Sequence, residues 1–419
     1  MTTRMLLRGT AGLLVTSSLC AAAHAETGTE AATTAQISQL AKKVSDTLGL
    51  SFDGYLRGGF YGSSGNNPGQ QYQLGGDLQH FRLGNEGDTY LEFGVGKQFD
   101  LGDGMKWGLY VMPSWYNGVE STKQIYGSVS GFSFAPGVSF WAGQRYHRIQ
   151  DIHIVDNWLM QDGDNYGAGI DGLDMGGGAK LNLALYTSGN NDNHNTVLNN
   201  ARRINLQLTD IATNPGGSVT LSAGLVQGDF ALGKPGAAVG LLHKQKNFLT
   251  DGLDNSLFVQ MSTGHAALTG EFYNLDIGGA PQAGARQMRV AEVINWQKGR
   301  FGGQALVGYQ TVAPDNASGW RDYSLGGRVS WGLSSHVKLL VEAAATARAV
   351  ENQPMQHLNK ATVAVAISPD SGFWTRPEIR VYASRFDWNG AAAQANSSTF
   401  GANGRTSANT FGAQLEAWW

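Results

Sequence analysis

From Ser51 onward the apolar and polar positions alternate with a period of two. Phe52, Leu56 and Phe60 share one parity with Gly54 and Gly58, while Asp53, Tyr55 and Arg57 take the other. The last residues repeat the pattern: Phe411, Ala413, Leu415, Ala417 and Trp419 oppose Gln414, Glu416 and Trp418. Successive side chains of a strand point to opposite faces, so each stretch predicts a strand with one apolar and one polar face. Between such stretches lie clusters with tight-turn chemistry: Gly102-Asp103-Gly104, Ala135-Pro136-Gly137, Gly176-Gly177-Gly178 and Asn214-Pro215-Gly216-Gly217. Gly252-Leu253-Asp254-Asn255, Lys298-Gly299-Arg300, Gly332 to Ser335, and Ser368 to Gly372 continue the series. Successive clusters are roughly 30–45 residues apart, room for two strands of about ten residues and one longer loop. Eight short turns on one side, with a strand at each end of the chain, predict 18 strands; 16 is the alternative count.

Residues 26–50 break this rhythm. Ile37, Leu40, Val44 and Leu48 have helical spacing in a polar, glycine-poor run, which predicts a short helix or a flexible polar extension. Before it, residues 1–25 read as a secretory signal. Arg4 and Arg8 form the basic start, Gly12 to Leu19 the apolar core, and Ala23-His24-Ala25 a small-x-small cleavage site before Glu26. The only cysteine, Cys20, leaves with that signal, so the exported chain is not stapled by disulfides.

Composition then decides which kind of β-protein this is. Glycine is abundant at 58 residues, proline scarce at 10 and tryptophan plentiful at 11. No mature stretch supplies the roughly 18 consecutive apolar residues of a membrane-crossing helix. Alternation with regular turns in a long, exported, Gly- and Trp-rich chain predicts a transmembrane antiparallel β-barrel over residues 51–419. The formal net charge of −3 gives no case for nucleic acid as a partner.

Several stretches resemble one family in order along the chain. Phe81-Arg82-Leu83-Gly84-Asn85-Glu86, followed by Thr89-Tyr90 and Glu92, resembles the second-strand motif of maltoporins. Trp141-Ala142-Gly143-Gln144-Arg145-Tyr146, then Asp151-Ile152-His153 and Asp156, is similar to the start of that family's inward-folded third loop. Trp374-Thr375-Arg376-Pro377-Glu378-Ile379-Arg380-Val381 resembles a late family strand, and Thr410 to Trp419 the closing one. The resemblance to maltoporin-like sugar porins implies an 18-stranded, homotrimeric outer-membrane channel, surrounded by lipid, for maltodextrins or related oligosaccharides. No catalysis and no cofactor or metal are implied.

A sugar ring has apolar faces and a hydroxyl rim, so a lumen that guides sugars needs flat aromatics beside charged hydrogen-bonding groups, none binding too tightly. The resemblance assigns Tyr55, Tyr90, Trp374 and Trp418 to an aromatic slide. Parity agrees, placing Tyr55 with Arg57, Tyr90 with Glu92, Trp374 with Arg376 and Glu378, and Trp418 with Glu416. It also assigns Arg57, Arg82, Glu92 and Asp156 to a polar track whose charge-assisted bonds bracket hydroxyls. A lumenal charge network that stiffens the wall is the plainer role for these four.

The chain departs from the family pattern at the predicted constriction. Ile149 stands where an arginine is expected, with Arg148 beside it, and Trp158 replaces a tyrosine. The second loop, near Tyr116 to Gln124, is short and lacks the tryptophan that maltoporins lend to a neighbouring subunit. His147, Asp151, His153 and Asp156 have a metal-like spacing but lie on the same predicted loop. No Gly-x-Ser-x-Gly elbow is present. Two functions stand after this reading: saturable sugar transport, and general diffusion of small hydrophilic solutes.

Overall fold

A computed structural model describes residues 47–65, 71–162, 166–188, 201–275 and 282–419. The predicted signal over residues 1–25, and all but the last residues of the extension over 26–50, lie outside these. The wall begins with β1 (Leu50–Ser63), β2 (Tyr90–Gly102), β3 (Met105–Tyr116), β4 (Val119–Ser130) and β5 (Ser139–Gln144). A separate hairpin follows, β6 (His147–Ile152) and β7 (Asn157–Asp162). The wall resumes with β8 (Tyr166–Gly176), β9 (Ala179–Thr187), β10 (Arg202–Ala212), β11 (Gly217–Gln227), β12 (Gly236–Gln245) and β13 (Leu253–Gly264). It finishes with β14 (Ala285–Lys298), β15 (Phe301–Pro314), β16 (Trp320–Gly332), β17 (Val337–Val350), β18 (Gln356–Ile367), β19 (Glu378–Trp388) and β20 (Ser407–Trp418).

Apart from the hairpin, these strands form one 18-stranded antiparallel sheet. β20 pairs with β1 over Tyr55↔Trp418 to Ser63↔Thr410, so the sheet closes on itself and leaves no free edge. All eight predicted turn clusters join wall strands at one end of the barrel, the end at which both β1 begins and β20 stops. By the usual construction of such barrels, that end is periplasmic and the long loops face outward.

The exposure pattern is the reverse of a water-soluble protein's. Along β18 and β19 buried and exposed residues alternate without a break. Toward the short-turn ends of the two strands the exposed set is apolar: Val363, Val365, Ile379 and Val381, the last 64% exposed. The buried set carries the charges Lys360, Glu378 and Arg380, the last 0% exposed. An apolar outer surface over a charged interior places lipid outside and the lumen within. Aromatic pairs such as Phe99–Trp107 and Phe301–Trp331 sit beside the short turns, where a membrane-interface girdle belongs.

Two outer loops fold into the barrel. The β6–β7 hairpin brings in Ile152, Ile154, Val155, Leu159 and Met160, which pack on Leu242, Phe258, Val293 and Leu306 of β12 to β15. Backbone N–H of Ile154 donates to Gln304 Oε1 at 2.9 Å, anchoring the hairpin's tip to the wall. This is the inward third loop expected from the sequence.

The loop between β1 and β2 also turns inward, which the sequence reading did not anticipate. Leu78 and Phe81 join the same apolar cluster. They seat over wall glycines: a Cβ at Gly326 would meet the Phe81 ring at 2.4 Å, and one at Gly308 would meet Leu78 at 2.7 Å. Gln79 donates to the Ala347 carbonyl at 2.8 Å, and the Leu83 N–H donates to Glu342 at 3.0 Å. Together the two loops fill the side of the lumen bounded by β12 to β18. The open passage is left against β1 to β4 and β20.

Candidate functional site

That passage is a cavity of about 950 Å3. Tyr55, Tyr90, Trp374 and Trp418 all line it, as do Arg57, Arg82, Glu92 and Asp156. Cross-strand register explains the gathering, since Tyr55 pairs with both Glu92 and Trp418, and Tyr90 pairs with Arg57 and Tyr116. Ring centroids step from Tyr116 to Tyr90 at 6.3 Å and from Tyr90 to Tyr55 at 6.1 Å. Trp418, cross-strand from Tyr55, and Trp374, in the short turn before β19, line the same cavity and pack on His153 between them. Tyr116, at the outer end of β3, extends the row beyond the four residues named from the sequence. The alternation reading of β3, in which Tyr110, Met112, Ser114 and Tyr116 share one parity, carries the signal that finds it.

Trp374 needs a correction. It lies in the turn before β19 and not on a strand, so strand parity does not apply to it. It reaches the lumen through packing: its ring lies 5.5 Å from His153 and 4.9 Å from Phe373. Trp418 stands edge-on to the same histidine at 5.4 Å, with the Arg376 guanidinium 4.4 Å from its ring centre.

Arg57, Arg82, Asp156 and the carboxylates of Glu86, Asp88 and Glu416 form one connected network. Arg57 donates to Asp88 through two nitrogens at 2.7 and 3.0 Å and to Asp156 at 2.9 Å. Arg82 donates to Glu86 at 2.7 Å, lies 3.0 Å from Glu416, and donates to the Tyr55 hydroxyl. Tyr55 in turn donates to Glu416 at 2.9 Å, which locks its ring against the wall. Arg82 is buried with its donors committed, so its position suits holding Tyr55. The Asp156 side chain, 40% exposed, remains open to the passage. Glu92 accepts from the Tyr90 hydroxyl.

His153 belongs to the metal-like spacing His147, Asp151, His153 and Asp156 in the sequence. It sits among three guanidinium groups, 3.1 Å from Arg376 and 3.4 Å from both Arg82 and Arg328. Burial above all lowers its pKa well below the ordinary histidine value, Glu416 opposing this and Arg82, Arg376 and Arg328 adding to it, so the ring is neutral. A neutral imidazole buttressing two tryptophans is a packing element. Burial tends to raise the Glu86 pKa, but Arg82 and Arg57 hold it below the usual carboxylate range.

The three residues of the predicted constriction divide between lumen and wall. Ile149 belongs to the hairpin, yet its side chain packs on the apolar cluster between hairpin and wall, away from the passage. Arg148 lines the passage instead, its guanidinium 3.7 Å from the Tyr146 ring centre and 5.4 Å from that of Trp158. Alternation within the hairpin is the reason: adjacent residues face opposite ways, so only one can reach the lumen. Asp151, cross-strand from Trp158, has a solvent-shielded Oδ1 with no hydrogen-bond partner among the described residues. Arg148, Tyr146, Asp151 and Trp158 thus give this part of the cavity a charged and aromatic lining.

A closed barrel with a lipid-facing apolar surface and a charged, aromatic lumen defines an outer-membrane channel of the porin class. Residues 50–419 match the LamB porin family, and the chain belongs to that family. Among solved structures, OpdO of Pseudomonas aeruginosa is similar at a TM-score of 0.52 and 10% identity, over 88% of this chain and 97% of that one. OpdQ of Pseudomonas aeruginosa is similar at 0.51 and 8% identity, over 88% and 98%. At such identities the likeness concerns the fold alone.

Proposed function

We propose that this channel carries maltodextrins or related oligosaccharides by facilitated diffusion, each ring sliding from one aromatic face to the next. The observation that carries the reading is the row Tyr116, Tyr90, Tyr55, Trp418 and Trp374 in a single cavity with Arg57, Arg148, Glu92 and Asp156. Apolar sugar faces stack on the rings while hydroxyls exchange hydrogen bonds with the charged side. The exposed carboxylate of Asp156 and the stacked guanidinium of Arg148 offer an acceptor and donors across the passage. A pore for small ions alone has no use for such a row. Family membership further supports a homotrimer in the outer membrane, which the mass of the native detergent complex checks. Residues 26–50 would then stand on the periplasmic side after removal of the signal.

Single channels in a planar bilayer, challenged with a ladder of malto-oligosaccharides and with sucrose, test the reading. Sugar should block the ion current reversibly and saturably. Replacing Tyr55, Tyr90, Trp374 or Trp418 by Ala should weaken the block several-fold each, since stacking is worth about 1 kcal/mol per ring by analogy with nucleic-acid bases. Ion conductance should be kept or raised. Unchanged block in all four variants would remove the slide, and no block in the parent would leave a general diffusion pore.

A further inference from the structure

A second cavity, of about 300 Å3, opens at the outer end of the barrel. It is bounded by the inward β1–β2 loop, the β13–β14 loop and the outer ends of β14 to β17. It shares Asn157, Thr269 and Glu271 with the larger cavity, so the two meet at the hairpin's tip. Its size falls at the low end of small-molecule sites, roughly 300–1,000 Å3.

Buried polar atoms are left unsatisfied around it. Arg289 is 0% exposed. Its Nε donates to Gln310 at 2.9 Å and its Nη2 to Asp77, but Nη1 has no hydrogen-bond partner among the described residues. Gln287 Nε2, also buried, has none either, and the same holds for Asn157 Oδ1. A buried donor without a partner is costly, and native proteins rarely keep one without a use. Gly75 and Gly76 let the loop backbone lie against the wall beneath the cavity: a Cβ at Gly76 would meet Asp322 at 2.7 Å. Trp320 and Tyr273 supply aromatic surface. Arg348 is already held by Asp322 at 2.7 and 2.8 Å.

The lining carries carboxylates from Asp77, Glu271 and Asp322 against guanidiniums from Arg289 and Arg348. With carboxylates in excess, an anion is disfavoured. A neutral ring with many hydroxyls satisfies the waiting donors and the Asn157 acceptor together, and presents an apolar face to an aromatic. We propose that this cavity is an entry subsite for one ring of an oligosaccharide, occupied before the chain reaches the aromatic row. The proposal rests on the sugar-channel reading above and adds a second, separately testable site.

The test adds maltotriose to one side of a bilayer at a time. In Trp320→Ala and in Gln287→Leu, block events should become about three- to tenfold rarer when the sugar enters from the long-loop side. Entry from the short-turn side should keep the parent's rate. Parent-like rates from both sides in both variants would overturn the subsite. Crystals of the unaltered protein soaked in maltotriose give an independent readout. Density for a ring in the outer cavity supports the proposal, and density confined to the aromatic row overturns it while the slide stands. Neither block nor density anywhere would overturn both.

Discussion

At the residue scale, the most consequential group in the passage is Asp151. It lies on the β6–β7 hairpin, outside the spanning strands, with its shielded carboxylate beside the gate. Burial raises its pKa to about 7, with Asp156 adding to the effect and Arg82 and Arg148 opposing it. The sign follows directly. A raised carboxyl is protonated as pH falls through about 7, so the gate loses a negative charge on acidification. Reversal potentials in a salt gradient should therefore shift toward anion selectivity between pH 8 and pH 6, and Asp151→Asn should hold the low-pH value throughout. A parent whose selectivity is flat over that range would refute the assignment. Alternation along continuous strands made Tyr55, Tyr90 and Trp418 legible in advance, because each side chain's direction follows from its neighbours'. It could not orient Ile149 and Arg148, since the phase of a short hairpin inside a barrel is set by the wall it meets. Nor could it foresee His153, whose role depends on arginines supplied by a loop, a strand and a turn far away in the chain.

At the element scale, the inward β1–β2 loop decides which half of the lumen stays open. Its knobs and the wall's sockets are distant in sequence: Phe81 with Gly326, and Leu78 with Gly308. Strands and turns leave local periodic signals, so the first and last strands, the eight short turns and the count of 18 are legible in the sequence, while Trp374, just outside its strand, is not placed by parity. A loop-to-wall seat leaves none, because a glycine on a strand looks the same whether it faces a ring or nothing. Phe81→Ala removes a ring that is buried in this seat, and core Phe→Ala changes cost about 3–5 kcal/mol. The expected outcome is a lower melting temperature together with larger, noisier single-channel conductance as the loop loosens. Gly326→Leu should give the same conductance change by filling the socket from the wall side. If both variants conduct like the parent, the loop does not bound the passage.

At the scale of the whole molecule, the barrel is inside out, charge within and apolar side chains against lipid, up to its last residue. The closing seam is where a single-residue slip would show. Trp418 stands in the lumen beside His153 and Arg376, while Trp419 lies over Gly54 next to Phe93 on the opposite face. Backbone bonds between Gly54 and Trp419, at 3.2 and 3.3 Å, fix this phase at the end of the chain. A strand shifted by one residue exchanges its faces entirely, so two adjacent positions report the register without further assumption. With Cys20 replaced by Ser so that no other thiol competes, Trp418→Cys should react with a small charged thiol reagent that enters through the pore, and sugar added beforehand should slow that reaction. Trp419→Cys should resist that reagent and react with a lipid-soluble probe. The reverse pattern would shift the seam by one residue, and with it the side of the wall on which Tyr55 and Arg57 stand.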